Sequence, residues 1–312
     1  MSITKKGVVF LHAKMILNEF LLEITIKNYS ERTKKSYRNN VNLFLTWLEL
    51  EYSITEIEDI LVTHIKSYIK YQSAKGRKAT YVNSILKCLV SYFNYAVDEE
   101  YINMNIAKRV KFQREDKVII KTFTDSEVRS MISSFSYNSY MEARNKCIVA
   151  LLLDTGIRNA ELCAIKIQDV KEESILIFGK GYKERLVPIS PFLKKVMLKY
   201  ASIRDFYFKE HGQLFEYYFL SYRAKPLTIE AVERVVRIAG ERAKVRGDIR
   251  CSPHTCRHYY AQAQLRNGLD VYSISRLLGH EDITITKRYL QSIQDEQVLD
   301  MSIKTSPLMN LK

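Results

Sequence analysis

Cysteine, proline and glycine are all scarce in this chain of 312 residues, and each scarcity argues against a class of structure. The five cysteines are odd in number and never spaced Cys-x-x-Cys, which argues against a disulfide framework. The stretch CSPHTC, residues 251–256, raises zinc as an alternative, but no second ligand pair stands at a recognisable spacing, so we expect no metal. Gly76 is the only glycine between Gly7 and Gly156, and the first proline is Pro188. So few chain breakers predict a mostly helical first half.

Long apolar runs are also missing, so we expect neither a transmembrane helix nor a secretory signal. With 46% hydrophobic and 27% charged residues, the composition is that of an ordinary soluble protein. We therefore expect a cytoplasmic protein, located at the nucleoid if it binds DNA. The net charge of +14 is spread along the chain and favours a polyanionic partner. On charge alone, a generic basic protein is the alternative.

The first third of the chain shows the periodicity of amphipathic helices. Apolar residues recur at helical spacing within 37–48, after a start signal at Ser30, and again within 82–97. These stripes are part of four predicted helices, near residues 11–27, 31–50, 55–73 and 78–99. Two basic patches on the polar faces are either solvated surface or a surface that contacts DNA. As candidate DNA-binding residues we select the basic members of ERTKKSYR and SAKGRK, namely Lys34, Lys35, Arg38, Lys75, Arg77 and Lys78.

The second half of the chain mixes helices with a short β-hairpin. Two apolar runs, SILIF at 174–178 and RLVPI at 185–189, flank the turn GKGYK and predict paired strands. An irregular charged stretch predicts a linker at 113–122. We therefore expect a mostly α fold with one small β-hairpin, in two domains. The predicted parts are a helical domain at 1–112, an α+β domain at 123–290 and a C-terminal helix and tail at 291–312. The helices predicted after the hairpin lie near 191–206, 228–244, 254–267, 271–278 and 284–300.

Three short stretches combine residue types suited to one chemistry. In DTGIRNAELCAI, Arg158 and Glu161 share a helix face at i, i+3, a pair that is ordinarily a surface salt bridge. In SPHTCRHYYAQ, His254 and Arg257 share a face, whereas we expect His258 to point elsewhere. A solvated helix face is the ordinary explanation of that pair.

The third stretch is LLGHEDITITKRYL, in which His280 follows a glycine turn and Tyr289 lies on the next helix. Tyr289 is either a packing ring or a nucleophile. Phosphodiester transfer needs donors for the charged transition state, a base for the attacking group and an acid for the leaving oxygen. The planar fork of arginine matches phosphate and keeps its proton. Two arginines, two histidines, a lysine and a tyrosine would supply the set without a metal or any other cofactor.

The order TGIR..EL, GKGYKERLVP, HTCRH, LLGH and, nine residues later, RYL strongly resembles the tyrosine recombinases, also called the phage integrase family. The hairpin and the lack of a large extra N-terminal domain look most like the Xer recombinases and the short integrases of mobile elements. The resemblance implies that residues 1–112 form a SAM-like core-binding domain and that 123–290 form the catalytic domain. It also implies that the tail at 291–312 is exchanged between protomers, with packing on its own domain as the alternative.

The resemblance further implies a role for each catalytic candidate around the scissile phosphate. Arg158 and Arg257 would clamp the phosphate, and Glu161 would hold Arg158. Lys180 would protonate the leaving 5′ oxygen, although Lys183 in the same turn remains an alternative.

The remaining candidates would act at the attacking group and the phosphate. His254 would serve as general acid and base towards the nucleophile, and His280 would donate a hydrogen bond to the phosphate. Tyr289 would attack and form a 3′-phosphotyrosyl link.

A site-specific recombinase acting on double-stranded DNA recombination sites through a Holliday junction is therefore the leading hypothesis. It would work as a homotetramer, or as a heterotetramer with a second recombinase. A DNA-binding protein without strand exchange and a type IB topoisomerase are the alternatives. A metal-dependent nuclease would need a carboxylate cluster, which the sequence does not show. The target sequence, any accessory factor and the choice between chromosome dimer resolution and mobile-element integration or excision stay open.

Overall fold

The computed structural model of the chain describes residues 12–115, 120–179, 184–209, 215–280, 282–287 and 289. Backbone contacts divide the chain into two compact units, Met1–Lys117 and Val118–Lys312. The described residues are mostly helical and include a two-stranded antiparallel sheet, which confirms the predicted fold class. The domain and linker bounds given above remain predictions. Within the described part of the chain, no helix is both long and apolar enough to cross a membrane.

In the described part of the first unit, residues 12–115, four α-helices pack together and their apolar stripes meet in one core. Phe44, Tyr68 and Phe93 are among its fully buried side chains. The predicted start signal at Ser30 is confirmed, because its hydroxyl accepts the Thr33 N–H at 3.3 Å. The helices are α1 at Ala13–Ile26, α2 at Glu31–Tyr52, α3 at Val62–Ala74 and α4 at Ala79–Asp98.

The third helix begins at Val62 and not near residue 55, so that part of the prediction is wrong. Ile57–Asp59 forms a 3-10 turn instead. Ile57 and Ile60 are both buried, and the tighter turn aligns side chains three residues apart. Leu61 is then extended and donates its N–H to His64 Nδ1 at 3.1 Å, which caps the new helix.

The second unit packs helices around α6 at Tyr140–Thr155, which is buried along most of its length. Helices α8 at Pro191–Tyr207, α9 at Ile229–Arg242 and α10 at Pro253–Arg266 all lie against it. The two strands pair with Leu176 opposite Leu186, and the turn at 180–183 between them lies outside the described residues. The elements are α5 at Asp125–Ser133, α6 at Tyr140–Thr155, α7 at Asn159–Ala164, β1 at Ser174–Phe178, β2 at Glu184–Pro188, α8 at Pro191–Tyr207, α9 at Ile229–Arg242, α10 at Pro253–Arg266, α11 at Val271–Leu278 and α12 at Ile283–Lys287.

Candidate active site

Arg158 stands at a tight turn between two helices. Helix α6 ends at Gly156, whose left-handed backbone (φ 62°) favours glycine. A Cβ on Gly156 would also lie 2.5 Å from the ring of Tyr260. Arg158 then starts α7, and its N–H donates to Glu161 Oε2 at 2.8 Å. Its guanidinium donates to Glu161 Oε1 at 2.9 Å and to the Gly279 carbonyl at 3.0 Å.

Arg257 shares one carbonyl with Arg158, that of Leu278, to which Arg158 Nη1 donates at 3.5 Å. Arg257 lies on α10, which begins at Ser252 with a proline in its first turn. Its side chain is buried and donates to the carbonyl of Gly156 at 2.8 Å and to that of Leu278 at 2.7 Å. Burial, and then the nearby charge of Arg158, lower the pKa of Arg257 to about 10, so it stays protonated at neutral pH. The turn at 278–279 thus brings two guanidinium groups together.

Glu161 is the buried counter-ion of this group. Arg185 on β2 forms two bonds to it, from Nη1 to Oε1 at 2.9 Å and from Nη2 to Oε2 at 2.6 Å. Arg185 Nε also donates to the Leu277 carbonyl at 2.8 Å. Burial alone raises the pKa of Glu161, but hydrogen bonds and charge from Arg185 and Arg158 outweigh it and lower the pKa overall. The carboxylate therefore holds two arginines at once.

Arg185 was not among the site residues predicted from the sequence. Its only signal there is its place in the motif GKGYKERLVP, whose lysines were the expected functional residues. Both partners of the pair are largely buried, and loss of one partner of such a pair leaves a charge without its counter-ion.

Replacing Arg185 by methionine is expected to lower the free energy of unfolding by about 3 kcal/mol, because Glu161 would keep only Arg158. Chemical denaturation would measure the change. The Arg237→Met variant is a matched control, because the exposed Arg237–Glu241 pair on α9 should contribute no more than about 0.5 kcal/mol. Equal effects of the two variants would contradict a special role for Arg185.

His280 follows Gly279, which ends α11 in a left-handed conformation (φ 66°). Its Nδ1 lies 2.7 Å from the hydroxyl of Thr286 on α12. Burial, and then the charges of Arg257 and Arg158, lower the pKa of His280 to about 4. The ring is therefore neutral at neutral pH when the site holds no anion.

Tyr289 lies in a small cluster with Tyr260 and Leu278, and only 3% of its surface is exposed. Its hydroxyl is 2.8 Å from Nδ1 of His258. The ring of His258 in turn contacts the ring of His254 edge-on, with centroids 4.2 Å apart. The expectation that His258 points elsewhere is wrong, because positions i and i+4 share a helix face. His258 is a second residue that the sequence analysis missed.

The predicted residues fall into three groups. Arg158, Glu161, Arg257 and His280 meet around the turn at 277–280. Tyr289 lies in the buried cluster that contains Leu278, and His254 contacts His258, the partner of the Tyr289 hydroxyl. Both candidate general acids, Lys180 and Lys183, lie outside the described residues, as does the tail at 291–312. The candidate DNA-binding residues belong to the first unit. Among them, Lys34 pairs with Glu31, Lys75 lies over the ring of Tyr71, Arg77 lies over that of Tyr81, and Lys35, Arg38 and Lys78 are exposed.

Comparison with known proteins matches both units to one family. Residues 121–296 match the phage integrase family, and residues 16–103 match the phage integrase N-terminal SAM-like domain. Tyrosine recombinase XerC of Thermodesulfovibrio yellowstonii is 29% identical over 95% of this chain and 98% of its own length. The XerC of Bacillus pumilus is 26% identical over 86% of this chain and 88% of its own length.

Two solved structures share the fold. XerH site-specific recombinase bound to palindromic difH substrate has a TM-score of 0.73 at 17% identity, covering 89% of this chain and 81% of its own. A lambda integrase tetramer bound to a Holliday junction has a TM-score of 0.68 at 16% identity, covering 90% of this chain and 78% of its own. Since the family match spans more than half of its residues, this chain belongs to the phage integrase family of tyrosine recombinases.

Proposed function

We propose that this protein is a site-specific recombinase that cleaves duplex DNA with Tyr289 and rejoins it through a Holliday junction. The observation that carries the proposal is the meeting of two arginines, a neutral histidine and a tyrosine around one turn. Arg158 and Arg257 contact the carbonyls of residues 278–279, His280 follows directly, and Tyr289 belongs to the buried cluster that contains Leu278. These are the groups that metal-free phosphodiester transfer needs.

The arginines are proposed to clamp the scissile phosphate. A guanidinium has five N–H groups in a fixed plane, of which the carbonyl contacts engage only some. Those contacts orient each fork, and the remaining N–H groups would meet the non-bridging phosphate oxygens. An anion between the arginines would also favour the protonated form of His280, whose pKa is lowered by burial and by those same charges. His280 would then donate a hydrogen bond to the phosphate.

His258 is proposed to share with His254 the work at the nucleophile. In the cleavage step a bond forms between Tyr289 Oη and phosphorus while the bond from phosphorus to the 5′ oxygen breaks. The Oη proton would pass to Nδ1 of His258, which lies 2.8 Å away. The leaving 5′ oxygen would take a proton from Lys180, as the family resemblance implies, or from Lys183. The phosphodiester energy is kept in the 3′-phosphotyrosyl link, so rejoining needs no ATP.

Replacing His258 by alanine is expected to slow covalent attachment to DNA by roughly a hundredfold, the usual contribution of a positioned acid or base. The His258→Asn variant keeps a polar group near the position of Nδ1 but cannot accept the proton. If His258 only positions Oη, asparagine should restore the rate, and if it takes the proton, asparagine should not. The rate of covalent complex formation on a nicked duplex measures both variants.

His254→Ala is the comparison that separates the two histidines. Loss of attachment in His254→Ala with a wild-type rate in His258→Ala would contradict the role of His258. The dissociation constant for DNA should stay unchanged in all three variants, because neither ring is proposed to bind DNA before cleavage.

The proposed partner is double-stranded DNA, held by both parts of the chain. The core-binding domain at 1–112, joined by a linker at 113–122 to the catalytic domain at 123–290, would place two basic patches on the duplex. A homotetramer on two duplexes is proposed, with a heterotetramer as the alternative, and exchange of the tail at 291–312 would couple the protomers. The fold likeness to a lambda integrase tetramer on a Holliday junction supports the assembly. The DNA-contacting residues would be Lys34, Lys35, Arg38, Lys75, Arg77 and Lys78.

The proposed biological role is either chromosome dimer resolution or integration and excision of a mobile element, acting on DNA in the cytoplasm. The similarity to proteins named XerC supports the first, although it stays below one third identity. Covalent trapping tests the activity: the protein would be mixed with nicked duplexes from its genomic flanks and run on a denaturing gel. A protein–DNA band would support the proposal, and its absence on every duplex, with and without a second recombinase, would contradict it.

A further inference from the structure

Two segments of the first unit carry cations and no carboxylates. Residues 60–97 contain six Lys or Arg and neither Asp nor Glu. Residues 101–114 contain four more and again no acid. Because like charges repel, a fold that brings such segments together is stabilised by an anion between them.

The fold does bring them together, in an open groove of about 520 Å³. Lys66 and Lys70 line one wall at i, i+4 on α3, and Arg109 and Lys111 line the other. No lining residue is acidic. Within the described residues, none of the four cations forms an ion pair with a carboxylate. Four cations thus face one concavity, and no carboxylate of the described residues pairs with them.

The groove is held in shape by specific contacts. The buried amide of Asn83 donates to the Gln113 carbonyl at 2.9 Å and accepts the Gln113 N–H at 2.8 Å. The Gln113 side chain also donates to the Ser73 hydroxyl at 2.7 Å. The Gln113 bonds hold the chain after Lys111, and the buried side chain of Val110 holds it before Lys111. The position of Lys111 relative to α3 is therefore fixed.

We infer that this groove binds backbone phosphates of duplex DNA, as a surface additional to the two basic patches named above. The inference rests on the proposed function, which supplies the polyanion. The groove also runs towards one of those patches, because Ser73 lines it two residues before Lys75. Buried Ile69 and Val110 form an apolar floor beneath the cations. An open trough with charged walls suits a run of phosphates, which carry no sequence information.

The test compares the salt dependence of DNA binding in the full chain and in a Lys66→Gln/Lys70→Gln variant. A labelled duplex of mixed sequence is sufficient, because phosphate contacts are independent of sequence. Each lost phosphate contact lowers the slope of log K against log salt by about one, so we expect a slope shallower by about two. At 0.1 M salt, affinity should fall roughly ten- to a hundredfold.

The Lys14→Gln/Lys27→Gln variant is the matched control, since it removes the same charge from α1 and the residue that follows it, where both lysines are ion-paired. It should keep the wild-type slope. A wild-type slope in the groove variant, or an equal change in the control, would overturn the inference. Thermal unfolding checks that the variants are folded, and Arg109→Gln/Lys111→Gln tests the other wall independently. If the wild-type protein binds no DNA, the proposed function fails first, and the inference fails with it.

Discussion

The Tyr289→Phe variant is expected to bind DNA as the wild type does and never to become covalently attached to it. The phenyl ring keeps its place in the buried cluster with Tyr260 and Leu278, so the fold should change little. The bond between Oη and His258 is lost, and such a hydrogen bond contributes on the order of 1 kcal/mol to stability. Without Oη there is no nucleophile, and the covalent product should be absent rather than slow to form.

A nicked duplex that traps the covalent complex gives the measurement. The wild-type protein should produce a band that survives denaturation and disappears after protease treatment, whereas Tyr289→Phe should produce none. A gel-shift assay under native conditions controls for binding. Strand exchange by the phenylalanine variant would show that another residue attacks, and the assignment of Tyr289 would then be wrong.

The Arg158→Ala variant is expected to bind DNA but to cleave it between a hundred and a thousand times more slowly, the usual effect of removing a preorganised donor. Arg158 suits this test better than Arg257, because its side chain is 44% exposed whereas Arg257 is buried. Glu161 keeps its two bonds to Arg185 in the variant, so the counter-ion does not lose all its partners. The loss should therefore report on catalysis and not on unfolding.

Single-turnover rates of covalent attachment measure this effect, with denaturation curves as the check on folding. Arg158→Lys serves as the graded control: it keeps the charge but loses the planar fork, so its rate should lie between those of alanine and wild type. A rate for Arg158→Ala within about threefold of wild type would contradict the proposed phosphate clamp.

The sequence alone was sufficient for the class of fold and for the family. Apolar spacing is a property of neighbouring residues, which is why the stripe that ends at Leu48 and the hairpin strands were predicted close to their observed bounds. The motif residues Arg158, Arg257, His280 and Tyr289 were also identified from order and spacing. Their proposed roles still rest on the resemblance and await the experiments above.

Only the tertiary structure decided which side chains meet across long stretches of chain. Arg185 contacts the carbonyl of Leu277, 92 residues away, and His258 meets Tyr289, 31 residues away. The basic groove likewise forms between α3 and the segment at 109–113, about 40 residues further along the chain. A local pattern records which face of a helix is apolar, but it does not record which distant element packs there. Only the folded structure therefore shows that Glu161 pairs with Arg185, that His258 contacts Tyr289 and that the basic groove exists.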